Sequence, residues 1–265
     1  MSFEQLGSAI VNIEQLLSAR LTRLADEPGD GEAYVRISDD FRILACGAVL
    51  MDLDVDAFSD YLYCSGVTYL ELLDGCRAGT VDPYYAWRSR GTAFLDVVAI
   101  GAHELARRID ERRSAERHGE QGEVAEDFEY QNLLALLTLD PENEAGWRAA
   151  LEALQSAVGG GTSTRLDVMA SLVAGDPEEF VSAFDDFLEA WATGVAEDRA
   201  AGRLSPYEDA TVANLCAEGL ALLRIAESRG IEVRDEYPGI PDCVLAHRAE
   251  AFPVGFSATG ASRPR

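Results

Sequence analysis

At 265 residues, 48% hydrophobic and 26% charged, the chain has a globular composition and length enough for a sizeable core. Its charge is lopsided: 47 aspartates and glutamates face 22 arginines and no lysine, a formal net charge of −25. Phosphate backbones and anionic lipid surfaces need clustered cations, so nucleic acid and membrane are not expected partners. A basic protein would instead be drawn in by the field. Acidic surfaces also serve solubility, and a high-GC genome favours arginine over lysine, so the charge alone does not fix a partner.

Ile10, Ile13, Leu17, Leu21 and Leu24 recur at three- and four-residue spacings and predict a first helix that stops at residues 26–32, DEPGDGE. No basic region precedes its apolar residues, so no secretory signal is expected, and no run approaches the roughly twenty apolar residues of a membrane span. A second helix is predicted from Asp39 to Met51 and a third from Asp56 to Leu73. A longer one opens at Pro83 and extends to Arg113, with Gly91 and Gly101 as points where it would kink. Residues 114–126 are polar and acidic and read as an exposed loop. Helices follow over 127–138, 141–158, 165–174 and 177–201, with Gly159–Gly161 as a linker. A further helix carries Val212, Leu215, Cys216, Leu222, Leu223 and Ala226 and stops at Gly230. Residues 251–265 are expected to form a flexible tail.

Four of these starts pair a capping side chain with proline: Asp82-Pro83, Asp140-Pro141, Asp176-Pro177 and Ser205-Pro206. The cap satisfies an orphan N–H, and proline at the first helical position has none to lose. Glu179 and Glu208 stand at capping-box spacing behind Asp176 and Ser205. No run alternates as a strand does, and the Asp-Pro starts follow no fixed period, so repeat arrays are not expected. The expected fold is all-α: an irregular bundle of nine to ten antiparallel helices in a single domain spanning 1–250. Any subdomain break should fall near 114–126.

The helix from Pro177 states its design most openly. Phe180, Val181, Phe184, Phe187, Leu188, Trp191 and Val195 form one apolar stripe, with Glu178, Ser182, Asp185 and Glu189 opposite. One face packs, and the other meets water or a cationic partner.

Few groups suggest chemistry. Cys46, Cys64, Cys76, Cys216 and Cys243 form an odd set without a C-x-x-C pair, and they read as small buried hydrophobes in a reducing, cytoplasmic compartment. His103, His118 and His247 are too far apart in sequence for a helical metal pair, and a chain without lysine cannot carry the lysine of a phosphate loop. No catalytic residue, cofactor or metal site is therefore assigned. Asp185-Asp186-Phe187-Leu188-Glu189 spells D-D-x-x-E, whose carboxylates one turn apart suit magnesium held against a diphosphate. A magnesium-dependent helical enzyme is accordingly the alternative reading. The motif lies opposite the apolar stripe, away from any buried cavity, and a chance match is expected in so acidic a chain. Tyr61, Tyr63, Tyr69, Tyr84, Tyr85 and Trp87 suit either interface anchors or helix-junction core, while Trp147 and Trp191 read as core.

The succession NLLALLTLDPENEAGWRAALEALQ, ASLVAGDPEEFVSAFDDFLEAW and LCAEGLALLRIAESRGIEVRDEYPGIPDCVL resembles the Immunity-49 family of bacterial toxin-immunity proteins. The likeness covers roughly residues 130–246. It lies in the order of features: a small helix ending at Gly175-Asp176, a phenylalanine-rich helix, an alanine–leucine helix ending at Arg229-Gly230, then Tyr237-Pro238 and Pro241. It implies an all-helical cytoplasmic protein that protects its producer by binding a cognate protein toxin, a basic one given the charge, without catalysis. The residues expected to meet that partner are Glu178, Asp185, Asp186 and Glu189 on the acidic helix face. Glu120, Glu123, Glu126 and Asp127 of the polar loop and its end join them.

Overall fold

Short polar side chains at helix starts set the layout. The computed structural model describes residues 3–249 and 251–260. Helices α1 (Phe3–Asp26), α2 (Gly31–Asp52) and α3 (Val55–Ala78) fold back on one another in turn. Asp30 caps α2 by accepting from the Ala33 N–H at 3.0 Å, and Asp54 caps α3 by accepting from Ala57 at 2.9 Å. Helix α2 therefore starts well before Asp39, which lies mid-helix. Tyr34 and Ile37, ahead of the expected start, are buried and extend the packed face.

The expected helix over 83–113 is broken into four pieces. Two 3-10 turns (Pro83–Ala86 and Arg88–Arg90) precede α4 (Thr92–Ala99) and α5 (His103–Asp110). Gly91 and Gly101 sit at the breaks, and Gly101 adopts φ +74, which only glycine takes at little cost. Every residue from Ala93 to Ala99 is buried, so α4 runs through the interior, between α3 and α11 (Ala217–Ser228). The first and second halves of the chain thus share one apolar cluster, from Ile13 to Ala258.

Hairpins of α6 (Ala125–Leu139) with α7 (Glu144–Val158) and α8 (Thr164–Ala174) with α9 (Pro177–Ala200) follow. Asp140-Pro141 does not open α7. Asn143 is its cap, accepting from Gly146 at 2.9 Å, while the Asp140 carboxylate accepts from the Asn143 amide at 2.8 Å. Asp176 and Ser205 do cap α9 and α10 (Pro206–Ala210), and the reciprocal box bond is formed at Ser205 and Glu208. Helix α12 (Asp242–Ala246) closes the set of twelve among the described residues, of which ten have seven residues or more. Tyr237 and Ile240 form an isolated antiparallel bridge. No helix among the described residues is long and apolar enough to cross a membrane.

A buried polar chain ties α2, α3 and α4 together. Asp96, 1% exposed, accepts from Arg42 Nε at 2.8 Å and from the Ser65 hydroxyl at 2.9 Å, and Ser65 bonds Ser38 at 2.8 Å. Asp40 is similarly sealed beneath Arg20 of α1.

The expected flexible tail is corrected over its described part, while most of 114–126 is exposed as expected, with Glu123 the buried exception. Residues 251–260 lie on the core: Phe252 stacks on Tyr63 at 4.8 Å, Phe256 meets Phe41 edge-on at 5.3 Å, and Ala258 is fully buried. Residues 261–265 of the expected tail lie outside the described residues. The 114–126 segment is anchored by Glu123, which is 4% exposed. Glu123 accepts from the Ser89 N–H and hydroxyl and from the His118 N–H, at 2.7 to 3.1 Å.

Candidate functional site

Helix α9 buries Phe180, Phe184, Phe187 and Leu188, with the three phenylalanine rings stacked in series. Its opposite face leaves Glu178, Asp185, Asp186 and Glu189 in solvent. Asp185 is paired with Arg234 from the segment after α11, whereas no arginine among the described residues reaches Glu178, Asp186 or Glu189. The D-D-x-x-E motif thus offers two uncommitted carboxylates rather than three. Among the described residues, no three histidine, cysteine or acidic side chains converge as metal ligands.

The loop set is split by the fold. Glu123 is withdrawn to hold Ser89 and His118 in place, which removes it from any partner surface, while Glu120 stays exposed in a 3-10 turn. Glu126 and Asp127 belong to the first turn of α6. Glu126 accepts from the Ser163 hydroxyl at 2.7 Å, and Asp127 accepts from Arg165 at 3.3 Å. Both therefore sit against the start of α8.

There, α8 and α9 part to leave a cleft of about 410 Å³, lined by Thr162–Arg165, Phe187, Ala190, Trp191 and Glu218. Arg165 forks onto Glu218, with Nε to Oε1 at 2.9 Å and Nη2 to Oε2 at 3.1 Å. Its guanidinium lies 4.8 Å from the Tyr130 ring centroid. Burial opposes the charge on Arg165, yet Glu218, Tyr130 and Asp127 outweigh it and hold the pKa up. Beneath lies Tyr130, 1% exposed, its hydroxyl facing Glu218 but without a well-formed hydrogen bond among the described residues. Burial and then the Glu218 charge push that phenol well above its ordinary pKa.

Trp191 forms the opposite wall. It is half-buried rather than core, and it rests on Gly239 so closely that a Cβ there would come within 2.5 Å of the ring. Glu126 and Asp127 reach the cleft through Ser163 and Arg165, and Asp186 lies one turn before its Ala190 on α9. Glu178, Asp185, Glu189 and Glu120 stay outside this grouping. Arg165, Trp191 and Glu218 were missed as site residues. Glu218 lies 53 positions from Arg165 and no local pattern joins them.

The groups present suit binding. Cys216, next to Glu218, is 1% exposed and burial pushes its thiol up, which makes it a poor nucleophile. A wider groove of about 1050 Å³ beside α1 and α10 is lined by Glu4 and the Arg199–Asp209 pair, bonded at 2.5 Å, and has no tryptophan wall.

No protein-family model, curated protein or solved structure matches the chain.

Proposed function

We propose that the protein binds and neutralises a basic protein toxin without catalysis, as an immunity protein. One observation carries the reading: Glu178, Asp186 and Glu189 line an exposed helix face on which no arginine among the described residues reaches them. Even if every arginine took one acid, 25 carboxylates would have no counter-charge. Such a surface raises the encounter rate with a cationic protein, while affinity comes from anchors buried after contact. The order of helices and turns over 130–246, with its likeness to the Immunity-49 family, supports the same reading. A nuclease is a natural target, because the basic groove that grips phosphate would equally accept an acidic face.

The test is protection and kinetics together. Cells expressing a toxin encoded beside this gene should survive only when the protein is present. Replacing Glu178, Asp186 and Glu189 with arginine should slow association in stopped flow and flatten its dependence on salt. Death of protected cells, or turnover of a substrate by pure protein that Asp186→Asn abolishes, would overturn the proposal.

A further inference from the structure

We propose that the Trp191 cleft is the seat of an arginine side chain from the basic partner. The guanidinium would stack on the indole and donate to the carboxylate oxygens that Arg165 leaves open. This rests on the binding reading above and adds the identity of the anchor.

The charge of the cleft decides the sign of the occupant. Glu218 and Asp127 hold the single cation, Arg165, Glu126 is bonded to Ser163 beside it, and Asp186 stands one turn before Ala190 of the lining. The lone pairs decide whether there is room. A carboxylate has about four acceptor positions. Glu218 uses two of them on Arg165, and Asp127 uses one. Their side chains remain 20% and 44% exposed, so an incoming donor can reach them.

Shape favours arginine over lysine. A planar guanidinium can lie flat on an aromatic face and fork onto a carboxylate, which a compact ammonium cannot do in the same way. The chain already builds this arrangement on the inner side of the cleft, where Arg165 lies over Tyr130 and forks onto Glu218. Trp191 offers a second aromatic wall on the outer side. Its close seat against Gly239 fixes the ring beforehand, so little ordering is needed on binding.

The probes are an acetylated, amidated hexa-arginine peptide and its hexalysine counterpart, equal in charge and dye-labelled for anisotropy at low salt. Hexa-arginine should bind about fivefold more tightly than hexalysine, in the range of an exposed cation–π contact. It should also change the fluorescence of Trp191, since Trp87 and Trp147 are buried. Trp191→Leu should erase the preference and leave both peptides at the hexalysine level. Ala190→Leu, at an exposed position, should do the same by filling the cleft with an aliphatic side chain without altering the core. Asp186→Asn should weaken both peptides alike. Equal affinities in the unmodified protein, or a preference that survives both cleft variants, would overturn this inference and leave the binding reading standing. Failure of either peptide to bind at low salt would count against the binding reading itself.

Discussion

Asp96→Asn removes the charge at the centre of the polar chain that joins α2, α3 and α4. The carboxylate accepts from Arg42 at 2.8 and 3.1 Å and from Ser65 at 2.9 Å, and it is 1% exposed. Burial raises its pKa, while Arg42 and Ser65 pull it back. Removing one member of a buried pair costs about 3–5 kcal/mol, because the other charge is stranded. Arg42 keeps a bond to the Thr92 carbonyl at 2.8 Å, and its side chain is 21% exposed. Water therefore softens the loss to about 3 kcal/mol, the low end of that range. Urea unfolding followed by helical circular dichroism would show a lower midpoint at unchanged slope. Adding Arg42→Met removes the stranded charge, so the pair should show a coupling of at least about 1 kcal/mol in a double-mutant cycle. A single-variant loss below about 1 kcal/mol, or strict additivity in the cycle, would refute the reasoning.

Asp39 gives a pH signature. Burial first, then the nearby acids Asp96, Asp40 and Glu208, raise its pKa to about 6 against the pull of Arg42. Its folded pKa lies above the unfolded value, so the stability it lends is full below about pH 4 and lost as pH rises through 6. The Asp39 residue keeps an edge in solvent while its carboxyl is hemmed in by Arg42 and three acids, so Asp39→Asn should stabilise the protein at pH 8 by only about 1 kcal/mol once screening is allowed for. Thermal midpoints of variant and parent should converge at pH 4, and a constant gap across that range would count against the assignment. Glu123→Ala strands the Ser89 and His118 amides and should cost about 2 kcal/mol, with faster hydrogen exchange at those two positions as the check. Gly239→Ala forces a side chain into left-handed backbone (φ +74) against Trp191. It should cost about 2 kcal/mol and shift tryptophan emission to the red; an unchanged spectrum would mean that Gly239 does not hold the ring.

Local chemistry was readable from the sequence. Asp176-Pro177 and Ser205-Pro206 open helices where they stand because cap and proline act within one turn. Gly91 and Gly101 were legible as weak points, but not as full breaks, since the reason to turn there is the burial of α4 on all sides. At Asp140-Pro141 a competing cap, Asn143, lay three residues on and prevailed, and the Asp140 carbonyl accepts from the Trp147 indole at 3.0 Å instead. The acidic sites were readable only as composition. Glu123 looks like its neighbours in sequence, and its burial depends on Ser89, 34 positions away. Asp185 is paired across 49 positions with Arg234, and no periodicity carries such information.

The seating of residues 251–260 has a consequence for how the protein is made. Glu71 accepts from the Ala258 and Thr259 N–H groups, 187 and 188 positions downstream. At about 5–20 residues per second, a ribosome needs roughly 10–40 s to cover that span. Throughout that interval Phe41 and Tyr63 lack the aromatic lids that Phe256 and Phe252 later provide. Translation halted short of Phe252 would release a chain with most of its helices encoded and an open oily seam, a form prone to clumping and to capture by chaperones.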